Sequence, residues 1–86
     1  MLEDYDVART FYEQSLILRR ELYGEVHPQV GSSLLSLGGL HEKTRELESA
    51  LECFQSALSI VEEALGGEDL LTATCHNNIG KVLRLQ

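Results

Sequence analysis

A shift of 42 residues lays the first half of this chain on the second. The stretch LYGEVHP, Leu22 to Pro28, falls on ALGGEDL, Ala64 to Leu70. Identical pairs are Ala8/Ala50, Leu16/Leu58, Glu21/Glu63, Gly24/Gly66 and Gly38/Gly80. The kinds of match carry more weight than the identities. Tyr12 falls on Phe54, Ser15 on Ala57, Leu18 on Ile60, Leu37 on Ile79 and Leu40 on Val82. Large apolar, small and turn positions recur together, as expected of a stacked helical repeat whose units cannot each close a core alone.

Apolar spacing predicts four helices. The first runs from about Glu3 to Tyr23, with Tyr5, Ala8, Phe11, Tyr12, Ser15, Leu16, Leu18 and Leu22 at spacings of mostly three and four. It ends at Gly24, a residue suited to a left-handed cap. The second starts near Pro28, whose fixed φ and missing N–H fit a first helical turn. Val30, Leu34, Leu37, Leu40 and His41 form its stripe, which fades over residues 43–46. The third spans about Leu47 to Leu65 and stops at Gly66-Gly67. Glu68 and Asp69 then bring negative charge to the start of a fourth helix, where the helix dipole favours it. Its apolar positions are Leu71, Cys75, Ile79, Val82, Leu83 and Leu85. No segment reads as a strand.

The segment VGSSLLSLGGLHEKTRELESALECFQSALSI, Val30 to Ile60, resembles a tetratricopeptide repeat. Leu34, Leu37 and Gly38 give the large–large–small pattern of that family's first helix, with His41 standing where an aromatic is usual. Ala50, Phe54 and Ala57 give the small–aromatic–small pattern of its second helix. Small residues let antiparallel helices approach closely, and the aromatic fills the space above them. The 42-residue stride, the His-Pro linker and Asn77-Asn78-Ile79-Gly80 are similar to the variant found in kinesin light chains and nephrocystin-type scaffolds. Two departures are plain. Asp69-Leu70 replaces His-Pro in the second linker, and Leu35-Ser36 stands where the Asn pair would be in helix two. The resemblance implies an all-α fold, a right-handed α-α superhelix fragment of about four antiparallel helices. It divides the chain into a half repeat (1–27), a complete repeat (28–66) and a second half repeat (67–86).

The 86 residues carry a formal net charge of −7, which opposes binding to nucleic-acid backbone or to anionic membrane. All fourteen acidic residues lie at or before Asp69, while the last segment carries Lys81 and Arg84. An acidic body therefore ends in a locally basic helix. Apolar content is 43%, with no run long enough to cross a membrane as a helix. Met1-Leu2-Glu3-Asp4 lacks the basic start and apolar core of a secretory signal, which points to the cytoplasm.

No catalytic constellation stands out, and no metal or cofactor is implied. His27 reads as a turn residue and His41 as a packing residue. Cys53 and Cys75 read as buried free thiols. His76 adjoins Cys75, but neighbouring helical side chains point about 100° apart and do not readily share a metal. Gly66-Gly67 lacks the strand–loop–helix setting of a phosphate cradle.

The sharper feature is polar. Thr74, Asn77, Lys81 and Arg84 share one face of helix four, with Asn78 beside them. In the family the first helix of each hairpin lines a concave groove that holds an extended peptide. The resemblance therefore assigns groove roles to Thr74, Asn77, Asn78, Lys81 and Arg84, and to Leu35 and Gly39 on helix two. Asn both donates to and accepts from a peptide backbone. Lys and Arg attract acidic ligand residues. The expected function is a non-enzymatic protein-interaction module with a protein or peptide partner of acidic character. The alternative is a structural spacer or self-association segment. Its open ends would pack on neighbouring repeats or a second copy through Tyr5, Phe11, Tyr12, Leu71, Leu83 and Leu85.

Overall fold

The computed structural model describes residues 4–86. It contains α1 (Tyr5–Tyr23), α2 (Pro28–Lys43), α3 (Leu47–Leu65) and α4 (Leu70–Leu85), with no strand among the described residues. The expected start of the first helix at Glu3 lies outside the described residues; α1 begins at Tyr5. Each helix packs on the next in sequence.

The two stretches that coincide under the 42-residue shift build the same junction from different side chains. Gly24 and Gly66 close α1 and α3 at φ +87° and +93°, with ψ 170° and 174°. That corner of backbone space is essentially reserved for glycine. His27 then caps α2, its Nδ1 accepting from the Gln29 N–H at 3.1 Å. Asp69 caps α4 in the same way, its Oδ1 accepting from the Leu71 N–H at 2.9 Å. Imidazole nitrogen and carboxylate oxygen thus satisfy the same orphan donor. His27 also stacks on Tyr23, with ring centroids 4.3 Å apart.

The turn between α2 and α3 is built differently. Arg45 takes φ +66° without being glycine, and the Glu46 N–H reaches back to the His41 carbonyl at 2.8 Å. The Thr44 hydroxyl lies 2.7 Å from Glu46 Oε1 and donates to it. His41 Nδ1 lies 3.0 Å from the same oxygen. The expected packing role of His41 is therefore joined by a polar one.

The core sits on the α2–α3 hairpin. Val30, Leu34, Leu37, Ala57, Val61 and Cys75 form one buried cluster with Leu16, and Ala50, Phe54 and Val82 form another. Gly38 makes the close approach that the sequence pattern demands. A Cβ there would strike the Phe54 ring, falling 2.7 Å from Cδ1 and 2.9 Å from Cζ. A Cβ on Gly31 would stand 2.6 Å from Val61 Cγ2.

The outer helices are less covered. Of the α1 stripe only Leu16 is buried, while Phe11 is 65% exposed and Leu18 and Leu22 also face solvent. On α4, Leu83 is 54% exposed and Leu85 is exposed too. Tyr5, Tyr12 and Leu71 are half-buried, and Tyr12 and Leu71 pack against the core. The ends thus expose Phe11, Leu83 and Leu85 more than the other three residues expected to lack cover.

Candidate functional site

The face formed by α2 and α4 is positioned by α3, on which both helices rest. The two helices are also tied directly. Lys81 Nζ lies 3.0 Å from Glu42 Oε2, and Leu35 and Ile79 pack against the same buried cluster. Glu42 is the more enclosed partner, with its side chain 16% exposed against 58% for Lys81. Lys81 therefore presents less unopposed positive charge than its sequence position suggests.

The other expected residues fall as follows. Asn77 and Arg84 are exposed, while Thr74, Asn78, Leu35 and Gly39 are half-buried. The Thr74 hydroxyl donates to the Leu70 carbonyl at 3.0 Å, which leaves it chiefly an acceptor for anything else. Arg84 lies along its own helix, its Nη1 3.7 Å from where a Gly80 Cβ would stand. Leu35 and Gly39 open onto a cleft between α1 and α2, about 270 Å³ in volume, shared with Ala8, Tyr12, Ser36 and Lys43. A Cβ on Gly39 would meet nothing within 4 Å, so this glycine widens the cleft rather than admitting a packed neighbour.

Spacing groups the α4 residues, and the same spacing on α2 puts Glu42 on the matching face, but three contributions to the site come only from the structure. Glu42 neutralises Lys81, and Ser36 and Tyr12 line the cleft. The 42-residue stride holds the signal for Ser36, since it falls on Asn78. Nothing in the spacing foretells the Glu42–Lys81 pair, because the two come from different helices.

Reactive chemistry is not concentrated anywhere on this face. Burial pushes both thiols up, and at Cys53 the Glu52 carboxylate adds to the effect. Cys75 is buried as expected; Cys53 is only half-buried. Among the described residues, no three His, Cys, Asp or Glu side chains gather closely enough to hold a metal ion. Nor, among the described residues, is any helix long and apolar enough to cross a membrane.

Two overlapping stretches, residues 1–63 and 37–86, each match the family model for the tetratricopeptide repeat. The chain belongs to the tetratricopeptide repeat family. A tetratricopeptide repeat is a non-enzymatic helical unit that mediates protein–protein interaction, and the paired helices described above have that form. The chain is also similar to proteins named clustered mitochondria protein homolog. It is 30% identical to that of Eremothecium gossypii over 77 residues, covering 90% of this chain and 6% of that protein. It is 32% identical to that of Aspergillus clavatus over 66 residues, covering 77% of this chain and 5% of that protein. A secreted RxLR effector protein of Plasmopara halstedii is 30% identical over 64 residues, 74% of this chain and 20% of that protein. The chain thus spans about one-twentieth of the length of the clustered mitochondria relatives it matches.

Proposed function

We propose that this tetratricopeptide segment binds an extended peptide along the face formed by α2 and α4. The observation that supports this most is the side-by-side placement of the two helices, tied by Glu42–Lys81, with Asn77 left exposed beside that tie. An exposed Asn offers a peptide both a donor and an acceptor without demanding a particular side chain. Asn78 and the Thr74 oxygen extend the polar track, and Leu35 and Gly39 border it on the α1 side, where the cleft beside α2 leaves room for a ligand side chain.

Arg84 is the cation that would favour acidic residues in the ligand. Lys81 joins it only so far as a ligand carboxylate displaces Glu42. The preference for acidic partners is therefore tunable by a residue outside the expected set. The same face fits a role inside a larger cytoplasmic scaffold like the kinesin light chains, with the partner reaching across several repeats.

The test is selection of peptides from a random library on the immobilised 86-residue chain, followed by affinity measurements on the winners. Asn77→Ala and Asn78→Ala should each weaken binding by about threefold to tenfold, the size of one lost hydrogen bond. Gln55→Ala, an exposed change on α3, should leave it unaltered. Glu42→Gln should tighten binding of acidic peptides and leave neutral ones unchanged. Equal affinities for Asn77→Ala and the parent chain would remove the groove.

A further inference from the structure

Helix α2 opens on Pro28, which has no N–H, so its first backbone donors are those of Gln29, Val30 and Gly31. All three turn to one residue. The His27 carbonyl accepts from Val30 at 2.9 Å and from Gly31 at 3.2 Å. The His27 ring accepts from Gln29 through Nδ1 at 3.1 Å. A backbone N–H can only donate, so this cap exists only while Nδ1 carries a lone pair. We propose that His27 makes the α1–α2 joint proton-sensitive: a proton on Nδ1 removes the cap and loosens the first turn of α2, while the α3–α4 joint stays capped by the Asp69 carboxylate over the same pH range.

The two caps do the same work with opposite charge behaviour. Asp69 Oδ1 accepts from the Leu71 N–H at 2.9 Å. A carboxylate keeps its charge down to about pH 4, whereas histidine ordinarily gains its second proton near about pH 6.5. A protonated ring at His27 loses its acceptor and also sets a positive charge at a helix N-terminus, where the dipole disfavours it. The unfolded chain has no cap to lose, so the proton weakens only the folded one. The ring's contribution is therefore fully present above about pH 6.5 and is lost as the pH falls below it.

The surrounding groups limit this effect without reversing it. Helices α1 and α3 pack on α2. On α1, Arg19 Nη1 bonds the Gln29 carbonyl and the Ser33 hydroxyl, each at 3.1 Å, so a cation on His27 would add to one already held at the same turn. Arg20 pairs with Glu25, which occupies the carboxylate nearest His27 in sequence. Glu21 on α1 and Glu62 and Glu63 in the last turn of α3 are exposed, where water and salt screen their pull. The Tyr23 ring, stacked on His27 at 4.3 Å, favours a cation over its face. That attraction offsets part of the loss but gives Gln29 no new acceptor.

The turn at stake joins α1 to the central hairpin. It holds Val30, which is fully buried, Gly31, which abuts Val61, and the Gln29 carbonyl that anchors Arg19. Loosening it acts on the packing of α1 and leaves the α3–α4 pair in place. The other two histidines do not share this behaviour. His41 Nδ1 lies 3.0 Å from Glu46 Oε1, a contact that a proton preserves, and His76 is exposed on α4. The proposal does not depend on the groove reading, since His27 lies at the junction end and not among the groove residues.

Urea denaturation of the 86-residue chain at about pH 7.5 and about pH 5.5 tests it, with His27→Asp and His27→Ala beside the parent. His27→Asp gives α2 the cap that α4 already has. From the higher pH to the lower, the parent's folded-to-unfolded ratio should fall by about fivefold more than that of His27→Asp, the size of one lost cap. His27→Ala should start about fivefold below the parent and meet it at the lower pH. Should His27→Asp lose its helical circular dichroism, His27→Asn supplies a cap that does not titrate. In nuclear magnetic resonance spectra the Gln29 amide should move over this range and the Leu71 amide should stay. Equal pH dependence in the parent and in the folded His27→Asp or His27→Asn chain would overturn the proposal. So would a Gln29 amide that moves no further than Leu71.

Discussion

Gly38 and Gly80 hold the same place in two copies of one repeat, yet one is sealed against an aromatic ring and the other faces little but an arginine tip. The aromatic residues show the same contrast: Phe54 is 1% exposed, and its counterpart Tyr12 is half-buried. Sequence pattern sets which residues can make a tight helix contact. Position in the array decides which of them do. In a stacked repeat each unit contacts only its neighbours, so a helix packed on both sides buries more than one packed on a single side.

The largest expected effect breaks the middle. Phe54→Ala should cost about 3–5 kcal/mol, the usual loss for an enclosed aromatic. A domain of this length has roughly 4–13 kcal/mol in total, so the variant should show little or no cooperative urea transition. Tyr12→Ala should cost about half as much as Phe54→Ala, because Tyr12 is only partly enclosed. Equal losses at the two positions would mean that the ends are as well packed as the middle.

The glycine pair gives a difference of sign. Gly38→Ala drives a methyl group into the Phe54 ring and should cost about 1–3 kcal/mol by overpacking. Gly80→Ala adds helix propensity where there is room, and should raise the urea midpoint by up to about 1 kcal/mol of stability. Destabilisation at both positions would place a neighbour on Gly80 that the monomer does not contain.

Much of this architecture was legible before any coordinates. The four helices and the junctions at Gly24 and Gly66 follow from local spacing and from a repeat that states each rule twice, and the family resemblance marks Gly38 and Phe54 as contact residues, which the structure pairs. The capping role of His27 was legible as a turn residue, and Asp69 confirms it by doing the same with a carboxylate. What spacing could not reach was contact between helices far apart in sequence. Leu18 and Leu22 look like core residues on α1, but among the described residues no helix covers them. Lys81 looks like a free cation until Glu42 arrives from α2. The left-handed Arg45 was also hidden, because no glycine marks that turn.

The three turns therefore invite a smaller comparison. Gly66→Ala forces a side chain into backbone space that only glycine tolerates, and should cost about 1–3 kcal/mol. Arg45→Gly should do the reverse. It removes the cost of a left-handed non-glycine residue, offset in part by the greater freedom of glycine in the unfolded chain. A net gain of about 0.5 kcal/mol is expected, read from urea midpoints. A loss would mean that the Arg45 side chain holds the turn more firmly than its backbone strains it.

The smallest effect concerns acid. Glu46 belongs to the same turn, and its carboxyl is held below the usual carboxylate range, first by the Thr44 hydroxyl and then by His41. A depressed folded value means that the stabilisation is fully present above the unfolded carboxylate range and is lost as pH falls through the folded value. Because the carboxylate is open to solvent, its contribution is smaller than any change above. Glu46→Gln keeps an acceptor for Thr44 but removes the charge. The parent chain should therefore lose slightly more thermal stability than Glu46→Gln between about pH 5 and pH 3, with the difference closing toward the acid end. Parallel melting curves across that range would assign the acid sensitivity to other carboxylates. They would also leave the α2–α3 turn held by its backbone hydrogen bonds and the Thr44 hydroxyl rather than by the Glu46 charge.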